Sequence, residues 1–168
     1  MKFILRPWKQ GDLKNLVRYA NNYKIARNLS DKFPYPYTKQ DGENFIAFAT
    51  QKSTHYIFAI VINNEACGGI GLHPQDDIHC RNAELGYWLA EPYWGNGIIS
   101  SAIQQIVVYG FEHLSNVDRI FARSFGSNLA SQKVLEKTGF VLEAKFTKTL
   151  FKFGEYEDEW IYGLRRPS

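Results

Sequence analysis

Two glycines separated by one asparagine, Gly95-Asn96-Gly97, sit in the stretch EPYWGNGIISSA from Glu91 to Ala102, after an aromatic pair and before an apolar helical pattern. A chain that leaves a strand and enters a helix at such a place exposes the unpaired N–H groups of the first helical turn. The helix dipole adds partial positive charge there, and the combination binds anions. Glycine lets the backbone approach a ligand closely and take positive φ. Successive amides in such a turn can cradle a pyrophosphate, and the hydroxyls of Ser100 and Ser101 add donors. A nucleoside triphosphatase loop, a dinucleotide loop and a tight turn without ligand all compete for this segment. The GxxxxGK[ST] pattern required by the first is absent. For the second, Gly95-x-Gly97-x-x-Ser100 is a broken fingerprint: the motif wants an acid closing the next strand, and Asp118 lies at that strand's start, the wrong end.

The elements that must position this loop follow from periodicity. KFILRPW reads as a first strand, and GDLKNLVRYANN as a helix with Asp12 as its cap. Two prolines in SDKFPYPYTK forbid a regular helix, leaving an aromatic loop of Phe33, Tyr35 and Tyr37. Its rings either pin the loop by burial or wall a substrate site. QDGENFIAFATQ reads as a second helix, followed by strands HYIFAIVIN, ACGGIGLH and RNAELGYWLA. From Gly97 the period changes to three and four, through Ile98, Ile99, Ala102, Ile103, Ile106 and Val107, which predicts a helix buried along one face. VDRIFARSF is a strand, NLASQKVLEKTG a helix that Gly139 ends, and FVLEAKFTKTLFKFG and EYEDEWIYGLRR two closing strands. This order predicts one α+β domain over residues 1–168, with a mixed, mostly antiparallel sheet of about seven strands and helices on both faces.

Composition excludes several function classes. No run of about eighteen apolar residues exists, so no membrane span is expected. The N-terminus lacks a long apolar core and a small-residue cleavage site, and reads as mature structure in a cytoplasmic protein. Cys67 and Cys80 read as free thiols, and His55, His73, His79 and His113 have no metal-ligand spacing. The formal charge of +3 is mild and its basic residues are dispersed, which speaks against nucleic acid as partner and suits a small anionic ligand. Gly69 and Gly71 lie inside a strand, where a bulge or close packing explains them. Lys145, Lys148 and Lys152 read as a solvated strand edge, and Glu157, Asp158 and Glu159 as an acidic turn. Exposed strand edges are compatible with a monomer or a homodimer.

ELGYWLAEPYWGNGIISSA, RIFARSFGSNLASQKVLEKTGF and the strand order together resemble the GNAT superfamily of acyl-CoA-dependent N-acetyltransferases, and in particular its ribosomal-protein-alanine N-acetyltransferase branch. The resemblance is strong over Glu84–Phe140 and elsewhere rests on element order. It implies acetyl-CoA as acetyl donor, with its pyrophosphate on Trp94, Gly95, Asn96, Gly97, Ile98, Ile99 and Ser100. Trp94 replaces the usual polar first residue of that loop, and Ile99 stands where Gly or Ala is typical. The backbone of Leu89 and Ala90 is the family's place for pantetheine contacts and the oxyanion donor, and Asn128 contacts coenzyme A. Asn128 is equally a plain helix N-cap. The acceptor implied is a primary amine, either a protein N-terminus or a small amine such as a polyamine or antibiotic. A non-catalytic acyl-CoA-binding role on the same fold is the alternative.

Transfer to an amine needs a proton acceptor, because amines near their usual pKa are charged at neutral pH. Strand alternation puts Glu84, Gly86 and Trp88 on one face and Leu85, Tyr87 and Leu89 on the other. Glu84 begins the run that leads to the glycine loop and is the expected base; its structural alternative is an ion pair with a neighbour such as Arg81. The tyrosine acid that many members carry is replaced here by Leu135, which leaves Ser131 as the stand-in.

Overall fold

The computed structural model describes every residue except His55. Seven strands form one sheet in the order β1-β2-β3-β4-β5-β7-β6. They are β1 (Ile4–Pro7), β2 (Ile57–Ile62), β3 (Glu65–Pro74), β4 (Asn82–Leu89), β5 (Arg119–Phe125), β6 (Val141–Lys152) and β7 (Glu155–Arg165). The helices are α1 (Leu13–Ala20), α2 (Tyr23–Ala26), α3 (Lys39–Ala49), α4 (Ile98–His113) and α5 (Leu129–Lys137). Every strand and long helix expected from the sequence is present, and the four-residue α2 is additional. The β4–β5 pairing is parallel, whereas β1–β2, β2–β3, β5–β7 and β6–β7 are antiparallel. Two compact units divide the chain: Met1–Gly71 with Tyr87–Ile98, and Leu72–Gly86 with Ile99–Ser168.

In the first unit, α1 and α3 pack their apolar stripes on β1 and β2, and Trp8, Leu16, Tyr37, Ile46 and Val61 form a buried cluster. A capping box starts α3: Thr38 Oγ1 accepts from the Asp41 amide, and the Asp41 carboxylate accepts from the Thr38 amide. Asp12 stands at the N-cap of α1 as expected, but its side chain makes no capping bond to that helix. Its carboxylate is drawn instead into a two-pronged pair with Arg6 at 2.7 Å and also accepts the Lys9 amide. Gly68 and Gly69 are where Trp88 crosses β3: a Cβ on Gly69 would lie 2.8 Å from Trp88 Nε1. Close packing thus accounts for that part of the glycine-rich strand. Cys67 is buried there, and burial pushes its thiol up to about 11.

In the second unit, Ala102, Ile103 and Ile106 of α4, Val117 before β5, Ile120 of β5, Leu135 of α5 and Tyr162 of β7 are fully or almost fully buried. Gly110 gives way to the Leu72 side chain, which fills the space a Cβ would need. Two surface readings of the sequence change here. Lys152 is 8% exposed, with its ammonium 4.6 Å from the Phe153 ring centroid, so it is no solvated edge residue. Glu157, Asp158 and Glu159 lie within β7 rather than in a turn, and each is engaged: with Ser127 Oγ, the Lys148 amide and Arg123 respectively.

Candidate active site

β4 ends at Leu89, a 3-10 turn follows at Glu91–Tyr93, and α4 begins at Ile98. Gly95 and Gly97 have φ of +76° and +72°, in the left-handed region that side chains disfavour. A Cβ added to either would meet nothing within 4 Å, so open space lies over both. The glycines answer a backbone conformation and not an internal contact. Asn96 is spent on the loop itself: its Nδ2 donates to the carbonyls of Tyr93 and Trp94, each at 3.1 Å. The Trp94 indole N–H donates to the Leu89 carbonyl at 2.7 Å and ties the loop back to the strand end. From below, the Glu91 carboxylate accepts from Asn22 Nδ2 at 2.9 Å and pairs with Lys24, both at the start of α2. That cation and those donors hold the Glu91 carboxyl below its ordinary range. Past the loop, Ile98 and Ser100 are buried and Ile99 is half-buried. The loop leads directly into the sixteen-residue α4, and unpaired N–H groups at a helix start are of the kind that binds anions.

Backbone groups at the β4 end are already engaged. The Ala90 amide donates to the Cys67 carbonyl at 2.8 Å, and the Leu89 carbonyl takes the Trp94 indole. An oxyanion donor at Ala90 therefore requires that bond to open. Of the aromatic loop in the same unit, Tyr37 is 5% exposed and packs at a tilt against Phe33, centroids 5.1 Å apart, and Phe33 in turn meets the Trp88 ring edge-on at 5.5 Å. Burial raises the Tyr37 hydroxyl to about 12. Tyr35 is the exposed ring, packed edge-on against Tyr23.

The second unit holds Glu84, Ile99, Ser100, Asn128 and Ser131. Glu84 lies half-buried opposite Phe121 in the parallel β4–β5 register, which ends at that pair although both strands continue. Its ion-pair partner is Arg123, Nε to Oε1 at 3.4 Å; Arg81 pairs with Asp118 instead. Asn128 caps α5, its Oδ1 accepting from the Ser131 amide at 3.2 Å. Its Nδ2 makes no hydrogen bond among the described residues. Gln132 locks the preceding turn by donating to the carbonyls of Phe125 and Gly126. Leu135 is fully buried, so no acid can act from that position. Sequence reading missed Arg123, Glu159, Gln132 and Glu91. The parity of Phe121, Arg123 and Phe125 along β5 was the only available sign that Arg123 shares a face with Glu84. Among the described residues, no group of His, Cys, Asp and Glu side chains is arranged to hold a metal ion, and no helix is long and apolar enough to cross a membrane.

Known proteins share this architecture. YdaF of Bacillus subtilis (strain 168), provisionally named a ribosomal N-acetyltransferase, is 34% identical over 105 residues, which is 62% of this chain and 56% of YdaF. The matched stretch thus spans little more than half of that relative. RimL, a ribosomal L7/L12 alpha-N-protein acetyltransferase solved in complex with coenzyme A, superposes with a TM-score of 0.84 at 21% identity, covering 98% of this chain and 94% of RimL. Spermidine N-acetyltransferase from Vibrio cholerae, solved with coenzyme A and spermine, gives 0.81 at 24% identity, covering 97% and 95%. At these identities the two solved structures speak to fold alone. The family model described as "Acetyltransferase (GNAT) domain" matches residues 2–141, five-sixths of the chain, and the protein belongs to the GNAT acetyltransferase family.

Proposed function

We propose that the protein is a cytoplasmic N-acetyltransferase that moves the acetyl group of acetyl-CoA to a primary amine by direct attack, with a protein N-terminus as the leading acceptor. The observation that carries this is the Gly95-Asn96-Gly97 loop, whose two glycines have positive φ and open space over them immediately before α4. In this reading the amides of Trp94–Ser100 take the pyrophosphate, and Asn128 Nδ2 adds a contact to coenzyme A. Coenzyme A supplies the activated thioester. Glu84 takes one proton from the incoming ammonium, directly or through water, and the neutral amine attacks the thioester carbon. The N–C bond forms, the C–S bond breaks, and the second amine proton passes to the departing thiolate, with Ser131 as the group nearest in role to a donor. Phe33 and Tyr35 contribute aromatic surface to acceptor binding, with Tyr37 behind them.

The ribosomal acceptor is favoured by the names of YdaF and RimL, and the small-amine alternative by the spermidine enzyme's shared fold. A panel measurement separates them: thiol release from acetyl-CoA with peptides bearing free Ala or Ser N-termini, with spermidine, and with an aminoglycoside. Peptide turnover with no polyamine turnover supports the leading reading. Acetyl-CoA should also raise Tm by mass action, as a ligand selective for the folded state must. A chain that binds acetyl-CoA yet releases no thiol with any acceptor of the panel would be a binding module; one that does not bind it at millimolar concentration is no acetyltransferase.

A further inference from the structure

The sheet face that carries Glu84 also carries a ladder of charges whose geometry singles out Arg123. Parallel pairing sets Glu84 opposite Phe121. Side chains two apart on a strand share a face, so Arg123 looks toward Glu84 diagonally. The antiparallel register of β5 with β7 sets Phe125 opposite Glu159, which makes Glu159 diagonal to Arg123 from the other side. The guanidinium joins them with separate nitrogens: Nη1 to Glu159 Oε1 at 2.9 Å and Nε to Glu84 Oε1 at 3.4 Å. Both contacts can therefore hold at once, which a lysine ammonium cannot reproduce with the same fork.

The two carboxylates are not equivalent. Glu159 is the better buried and the closer, with a side chain 14% exposed against 33% for Glu84. Phe121 lies beneath, its ring centroid 5.5 Å from the Arg123 guanidinium carbon. Arg119 covers the same ring at 4.8 Å and is itself held by Asn82 and Glu143. Arg123 is thus fixed by Glu159 and the Phe121 ring, and its Nε lies within ion-pair distance of Glu84, which has no other ion-pair partner among the described residues.

We propose that Arg123 is a positioning residue for Glu84, with Glu159 as its anchor. This rests on the reading of Glu84 as the proton acceptor. One Glu84 oxygen is held by Arg123 Nε, and the other is left to the acceptor or its water. Because Arg123 is half exposed, solvent screens its charge, and orientation is its contribution.

The experiment is a double-mutant cycle on the full chain, with acetyl-CoA and the fastest acceptor of the panel above. Arg123→Gln should lower kcat roughly 10-fold through misplacement of the base, with KM for acetyl-CoA and Tm unchanged. Arg123→Lys should recover only part of that loss, and Glu159→Gln should lower kcat in the same direction. In the Glu84→Gln background, Arg123→Gln should have no further effect. Equal losses in both backgrounds, or an unchanged kcat in the wild-type background, overturn the positioning role. A wild-type chain that turns over no acceptor overturns the acetyltransferase reading itself and this proposal with it.

Discussion

At the scale of single residues, the roles proposed for Glu84 and Gly97 each make their own prediction. Glu84→Gln keeps size and hydrogen bonding but removes the basic carboxylate. Turnover should fall by roughly 10²–10⁴-fold, the usual reach of general base catalysis, with coenzyme A affinity intact. The deficit should shrink as pH rises, since more of the amine is then neutral. Initial rates between pH 7 and about pH 10 measure this, the upper limit set by ordinary amine pKa values. A Gln variant with wild-type turnover at neutral pH excludes Glu84 as base. Gly97→Val meets no neighbour, so its penalty comes from φ of +72° and from the ligand side. Forcing an L residue there costs about 1–2 kcal/mol. Calorimetric titration with coenzyme A should show weakened binding in a variant that remains folded; unchanged affinity would place the pyrophosphate elsewhere.

Elements position these residues through few contacts at their ends. α2 holds the glycine loop through Asn22, Lys24 and Glu91. An exposed pair of this kind contributes little to stability because solvent screens it, yet it ties α2 to the turn from which the loop departs. Glu91→Ala should leave Tm nearly unchanged while raising the coenzyme A Kd several-fold, a split that thermal melting and titration together can read. An unaltered Kd would show that the loop holds its shape through Trp94 and Asn96 alone. At the other helix, Asn128→Ala removes the α5 cap bond to the Ser131 amide. The loss should be about 1 kcal/mol, visible as a Tm drop of about 2–4 °C for a chain of this size. Restored Tm with Asn128→Ser or Asp would separate the capping role from the ligand role, which Nδ2 alone can fill.

For the whole molecule, acid is the informative perturbation. Arg119 holds the Glu143 carboxyl below its ordinary range, Thr38 does the same for Asp41, and Lys24 with Asn22 for Glu91. A carboxylate whose folded pKa is depressed contributes stability that is fully present above its unfolded value, near 4. That contribution is lost as pH falls through the folded value, because the unfolded chain then binds more protons. Denaturant midpoints should therefore be flat near neutrality and decline below about pH 4. Glu143→Gln should shallow that decline. A Gln variant with the wild-type acid slope would remove Arg119–Glu143 from the account.

Periodicity and turn chemistry made most of the fold legible in the sequence. The change of period at Gly97, alternation in the strands and Gly139 as a stop are local properties, and local backbone preference decides them. The glycine loop was legible for the same reason: positive φ and open amides are written in residue type. Partnerships were not legible. Arg81 and Arg123 are both plausible neighbours of Glu84 in sequence, and only the parallel register of β4 with β5 selects Arg123. Asp12 had the type and place of a cap, but Arg6 on β1 offered a stronger partner than a backbone amide. Lys152 had the charge of a surface residue, and the β6–β7 hairpin buried it. Propensity acts over a few neighbouring residues and survives in the one-dimensional chain. Ion pairing and burial depend on residues that register and crossover bring together from distant positions, and those the tertiary structure alone decided.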